Sequence, residues 1–352
     1  MAFLLGLLIV AAVIADAFST IVLPRSVRRA WRLSSAYFYG TWMIHSAVAR
    51  MRPGRLRNGF FSAFAPAALL ILVILWVLLL SVGFGTMQWA RGTPLSKPGE
   101  TGHLLSYLYL SGTTLLTLGY GDLTPTDHAG RFMAVGEALT GFIFLALIVG
   151  YVPVLYGPFA RREQTMLRLD ARAGGDPTGI EMLRRHEACP ELLVVLLNDW
   201  EAQSSALLEG YLSYPILAYY RSQHDDQSWL KSITAVMDAC ALLAIDSTTP
   251  PGLRLQAHAT FAMARHLLVD LAYIFDAAPV GDGRLPDEDY VRLRALRPTL
   301  PESPAALAEM RHTYEPFAEA LARDLALTVP AWLLEGHRPD NWETSAWDGM
   351  HF

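Results

Sequence analysis

The sequence predicts an all-α membrane protein with a soluble helical half, and three observations carry that reading. Of its 352 residues 53% are hydrophobic and only 17% are charged, below the quarter usual for soluble domains. Apolar stretches long enough to cross a bilayer of about 30 Å occupy 1–24, 59–90 and 131–160, each bordered by arginine. Past residue 163 apolar positions recur at helical spacing, without alternation strong enough to predict a sheet.

Charge divides the chain the same way. Residues 1–163 carry 13 Lys/Arg and 6 Asp/Glu, a balance of +7, and residues 164–352 carry 15 and 27, a balance of −12. A basic half and an acidic half imply different surroundings. Cys189 and Cys240 stand far apart, which gives neither a disulfide framework nor a zinc spacing.

Residues 1–24 are apolar apart from Asp16. No basic residue precedes the run, and Arg25, Arg28, Arg29 and Arg32 follow it, so a membrane helix fits better than a cleaved leader. Arginines stay on the cytoplasmic side, which places the N-terminus outside. Residues 25–58 hold eight arginines around LSSAYFYGTWMIHSAV. This segment reads as a basic amphipathic helix on the cytoplasmic leaflet, in contact with lipid. Residues 59–90 have no charge and form a spanning helix running back outward. Proline and glycine in 91–103 break it.

A short helix is expected at 104–116, ending in the stretch TTLLTLGYGD at 113–122. Glycine reaches positive φ without strain, so Gly119 and Gly121 let successive carbonyls of this loop face the same way. Such carbonyls can replace the water shell of a dehydrated cation, with the Thr117 hydroxyl below them. A third spanning helix covers 131–160. Glu137 is its one internal acid, and intramembrane acids mark function or a hydrogen-bonded contact. Pro153 removes one helical hydrogen bond and should bend the helix.

Thr114, Thr117, Gly119, Tyr120, Gly121 and Asp122 spell T-x-x-T-x-G-Y-G-D. With its flanking helices, 59–160 resembles the single-pore-loop potassium channels of bacteria. The resemblance implies a pore domain of two transmembrane helices around a re-entrant pore helix and filter (104–122), to which the helix at 1–24 is one extra N-terminal helix. It implies potassium coordination by Thr117, Leu118, Gly119, Tyr120 and Gly121, with potassium as permeant ion and no cofactor. It also implies a homotetramer, because one loop per chain supplies a quarter of the ion cage. Tyr120 should brace the loop, and Tyr109 should bond Asp122 behind the filter. Thr114 and Glu137 are expected to support it. Gly141 lies at the position of a hinge glycine, so Gly141 and Pro153 are the gating candidates; packing is the other role open to Gly141. Family members often carry glutamate at the position of Thr113. Cavity-facing positions should include Phe142, Leu145, Val149 and Pro153.

Residues 161–352 read as a cytoplasmic helical domain, with helices near 179–187, 190–220, 227–245, 252–276, 303–326 and 328–336. Asp225 and Asp226 look like a helix start. There is no G-x-G-x-x-G phosphate loop and no nucleophile–base pattern, so neither an enzyme nor a nucleic-acid binder is indicated, and no ligand can be named. His258, His266 and Asp270 share helical spacing that could hold a metal, although such histidines usually belong to a core. A potassium-uptake transporter subunit would carry four degenerate loops per chain, and a non-selective cation channel would not need Tyr120.

Overall fold

A long uncharged run forms a helix because lipid offers its backbone no other hydrogen-bond partners, and three such helices organise the molecule. The computed structural model describes residues 1–22, 33–222, 227–281 and 283–334. Among these are twelve α-helices, no strand and one isolated bridge, Leu95 with Pro125. The helices are α1 (Ala2–Ile21), α2 (Leu33–Arg50), α3 (Gly54–Arg91), α4 (Leu104–Leu115), α5 (His128–Ala173), α6 (Gly179–Arg185), α7 (Pro190–Ser213), α8 (Trp229–Ile245), α9 (Pro251–Phe275), α10 (Asp287–Leu296), α11 (Ala305–His312) and α12 (Glu315–Asp324). Two 3₁₀ turns lie at Pro98–Glu100 and Pro215–Tyr219. Helices α1, α3 and α5 are long and apolar enough to cross a membrane.

The chain divides into two compact units. The first contains α1, α2, α3 from Ala63, α4, and α5 as far as Tyr156. Its core joins Val10, Val13 and Ala17 of α1 to Leu72, Trp76, Leu80 and Met87 of α3, with Leu115 and Phe144 completing it. Gly6 and Gly83 let α1 and α3 touch backbone to backbone: a Cβ on Gly6 would lie 2.6 Å from the Gly83 carbonyl oxygen. Asp16 fixes the arrangement. One carboxylate oxygen accepts the Trp76 indole N–H at 2.9 Å, and the other accepts the Ser34 N–H and hydroxyl, both at 3.1 Å. Ser34 lies in the first turn of α2, whose positive end favours an anion. The one acid of α1 thereby holds three helices. Helix α2 packs on α3 through Trp42 and Phe64 and through the Tyr37 hydroxyl, which donates to the Ala68 carbonyl at 2.9 Å. Tyr39, Met43 and Ile44 remain exposed on α2. Arg25, Arg28, Arg29 and Arg32, read from the sequence as the basic start of this segment, lie outside the described residues.

The second unit holds 53–62 and α5 from Gly157 onward. It is built around α8, which is buried from Trp229 to Leu243 except at Lys231. Helix α9 packs on α7 and α8, α6 and α11 on α8, and α12 on α9. Gly179 allows α6 to approach the α8 backbone, since a Cβ there would stand 2.6 Å from the Ala239 nitrogen. The polar centre of the unit is Asp238 on α8. Arg284 donates to both its oxygens at 3.0 and 2.6 Å, and the Tyr314 hydroxyl donates to one at 2.5 Å. Glu315 joins the group through Arg284, Arg311 and the Trp332 indole N–H.

Several boundaries differ from the sequence reading. Helix α5 continues through Arg161, Arg162 and Glu163 to Ala173, because charge ends an apolar span without ending a helix. Pro153 lies inside α5 without breaking it. Residues 328–334 are not helical: Pro330 has no backbone N–H to give a helix, and Trp332 donates its indole N–H to Glu315 at 2.9 Å instead. Helix α10 escaped detection because DEDYVRLRAL buries only Tyr290 and Leu293. Asp225 and Asp226 lie outside the described residues, and α8 begins after Ser228.

Asp246 closes α8 and makes stability depend on pH. Burial pushes its carboxyl up, but bonds from the Thr248 hydroxyl and N–H, the Thr299 hydroxyl and the Arg297 guanidinium outweigh that and hold it at about 2. A depressed carboxyl stabilises the fold above its unfolded value near 4 and loses that contribution as pH falls toward 2. Asp246→Asn should therefore cost about 2 kcal/mol at pH 7. Denaturation titrations of the two proteins should converge as pH approaches 2; a difference that persists unchanged at that pH contradicts the assignment.

Candidate functional site

The loop after α4 is shaped by the end of that helix. The Thr113 carbonyl accepts the N–H groups of both Leu118 and Gly119, at 2.8 and 3.2 Å, and the Thr114 carbonyl accepts that of Thr117 at 3.0 Å. Carbonyls left open at a helix C-terminus carry partial negative charge, and here they anchor the loop directly. Three residues then take positive φ: Thr117 at 55°, Gly119 at 59° and Gly121 at 73°. Leu118 and Tyr120, between them, do not. Alternation of hand at every second residue is the backbone pattern that lets successive carbonyls face one way. The sequence signalled this at the glycines. It gave no sign at Thr117, where a β-branched residue adopts a conformation it normally avoids.

Within one chain the loop is uncovered: every residue from Leu116 to Asp122 is exposed, Tyr120 at 67%. Behind it, the Tyr109 hydroxyl donates to the Asp122 carboxylate at 3.1 Å. The far side of the loop is strapped to the end of α3. Ser96 N–H donates to the Thr124 carbonyl and Thr126 N–H to the Pro94 carbonyl, both at 2.9 Å, around the Leu95–Pro125 bridge. Arg91 pairs with Asp127 across the same strap. These pairings had no sequence signal, since two or three residues are too few to show alternation.

Glu137 of α5 is fully buried and bonds the Ser111 hydroxyl of α4. Ser111 also stands 2.8 Å from the Ser81 carbonyl of α3, so one hydroxyl links all three helices around the loop. The Thr113 side chain is buried and donates to the Leu110 carbonyl at 3.0 Å. Gly141 faces α4 at its last residue, where any Cβ would overlap the Leu115 carbonyl. Phe142, Leu145 and Val149 are exposed along α5. The other sequence candidates do not assemble. His258 is exposed, His266 pairs with Asp270 at 3.1 Å, and no group of three metal-ligating side chains occurs among the described residues.

Residues 68–155, which contain α4, the loop and the apolar part of α5, match the family model described as an ion channel. Protein LctB of Bacillus caldotenax is 60% identical over 42 residues, or 12% of this chain and 31% of the relative. Protein LctB of Geobacillus stearothermophilus is 50% identical over 58 residues, or 16% and 42%. The chain thus spans less than half the length of these curated relatives. No solved structure matches it.

Proposed function

We propose that this chain, whose residues 68–155 are an ion-channel domain, is one subunit of a homotetrameric potassium-selective channel. The observation that carries the reading is the T-x-x-T-x-G-Y-G-D loop with left-handed backbone at Thr117, Gly119 and Gly121. Carbonyls aligned in this way can substitute for the hydration shell of a potassium ion. Thr117, Leu118, Gly119, Tyr120 and Gly121 supply the oxygens. The uncovered Tyr120 and the exposed positions on α5 find their cover in neighbouring copies, which also close the ion cage.

The C-terminal end of α4 points its partial negative charge at the loop and favours a cation there. Ser111, Glu137 and the Tyr109–Asp122 bond support the loop from behind. With the arginines at 25, 28, 29 and 32 kept on the cytoplasmic side, residues 161–352 lie in the cytoplasm. There the balance of −12 over residues 164–352 raises the local cation concentration. Potassium and sodium fluxes measured on the full-length protein in liposomes test the reading. Potassium-driven flux that sodium does not reproduce supports it, and equal fluxes overturn it.

A further inference from the structure

The last turns of α5 are gripped by a short segment of the second unit. Arg162 is 2% exposed, and each of its five N–H groups has a partner. Nε and Nη2 donate to Glu163 Oε1 at 3.1 and 3.0 Å. Nη1 donates to the Tyr211 hydroxyl and the Leu217 carbonyl, both at 3.2 Å, and Nη2 to the Tyr220 carbonyl at 3.0 Å. These carbonyls lie at the open end of the Pro215–Tyr219 turn, so the guanidinium caps it. Glu163 accepts the Ser222 hydroxyl on its other oxygen at 2.5 Å. Phe159, on α5 before Arg162, stacks under the guanidinium at 4.9 Å and meets the Tyr220 ring at 5.6 Å.

The same segment also holds α3. Arg221 lies over the Phe61 ring at 4.9 Å and donates to the Leu325 carbonyl at 2.6 Å. Residues 215–222 therefore fasten the end of α5 and the early turns of α3 at one place, next to α12. Helices α3 and α5 are the two that flank the loop at 117–121.

We propose that Arg162 is a positioning residue for pore opening. It fixes the end of α5 to residues 215–222, and through Arg221 and Phe61 that segment fixes its spacing from the start of α3. The proposal rests on the channel reading above and adds to it the place where the second unit acts. Displacement of the α5 end relative to α3 must carry the segment along or break this network. Where opening breaks it, the network is a contact set of one state alone and biases the ratio of the two. A buried ion pair says little about stability, but a guanidinium with five directed bonds specifies a position that lysine, with one nitrogen, cannot reproduce.

The test is single-channel recording on the full-length protein carrying Arg162→Lys, Arg221→Gln, Ser222→Ala or the Arg162→Lys/Arg221→Gln pair. Arg162→Lys should assemble and change the open-to-closed ratio tenfold or more, with Ser222→Ala giving a smaller shift in the same direction. The pair should shift the ratio no further than its larger single variant, because both residues act through one segment. Asp246→Asn, which weakens the same unit elsewhere, should leave the ratio unchanged. Should Arg162→Lys fail to assemble, Arg221→Gln and Ser222→Ala decide. Ratios within twofold of the unmodified protein, or full additivity in the pair, overturn the proposal. The permeability ratio is taken from the same traces. A lack of potassium preference there would overturn the selectivity reading, while the open-to-closed ratio would still decide this one.

Discussion

Replacing Gly119 or Gly121 with alanine abolishes potassium-selective current while the protein still assembles. The reason is backbone conformation. In one chain nothing lies within 4 Å of a Cβ built on either glycine, so steric crowding is not the cause. Both residues have left-handed φ, at 59° and 73°, which costs an L-residue about 1–2 kcal/mol. In a tetramer the penalty applies four times, about 4–8 kcal/mol for each substitution. The chain relieves it by turning a peptide, which removes a ring of carbonyls from the ion path. Thr117 tolerates its left-handed angle because Thr114 and the end of α4 hold it there, a support that Gly121 lacks. Potassium and sodium fluxes through liposomes measure the effect. An unchanged flux ratio in both variants would contradict the filter assignment.

Gly141→Ala should be nearly as damaging for a different reason. A methyl group there overlaps the carbonyl of Leu115, at the end of α4. Overpacking of this kind costs about 1–3 kcal/mol, and the displaced element is the helix end that anchors Leu118 and Gly119 through Thr113. Conductance should fall tenfold or more and thermal stability in detergent should drop. Gly150 on the same helix has no neighbour within 4 Å, so Gly150→Ala should be neutral or slightly stabilising, since alanine favours helix over glycine by about 1 kcal/mol. Normal conduction in Gly141→Ala would dismiss the packing role. Equal damage from Gly150→Ala would shift the explanation to helix flexibility.

What could be read from the sequence follows from how locally each feature is encoded. The three spanning helices were legible because lipid demands long uncharged runs. The left-handed backbone at Gly119 and Gly121 was legible because glycine reaches positive φ without strain. The left-handed Thr117 was not, since its conformation is imposed by carbonyls of α4 and not by its own side chain. The roles of Asp16 and Glu137 were open in the sequence, where each is simply an acid in an apolar helix. Their partners Trp76, Ser34 and Ser111 lie far along the chain. In the second unit, α8 and α9 were legible from apolar periodicity. Helix α10 was hidden by its charge, and the continuation of α5 by the assumption that Arg161 to Glu163 end it. Residues 215–220 merged with α7 in the sequence, because nothing local shows that the Leu217 and Tyr220 carbonyls turn to face Arg162.

The central claim is that the loop at 117–121 selects potassium. The most direct measurement is the reversal potential of the reconstituted full-length protein with potassium on one side of a bilayer and sodium on the other. A tenfold preference is about 1.4 kcal/mol and moves the reversal potential by about 60 mV. The account predicts a shift of at least that size in the potassium direction, lost in Gly119→Ala. A reversal potential near zero in the unmodified protein would contradict it.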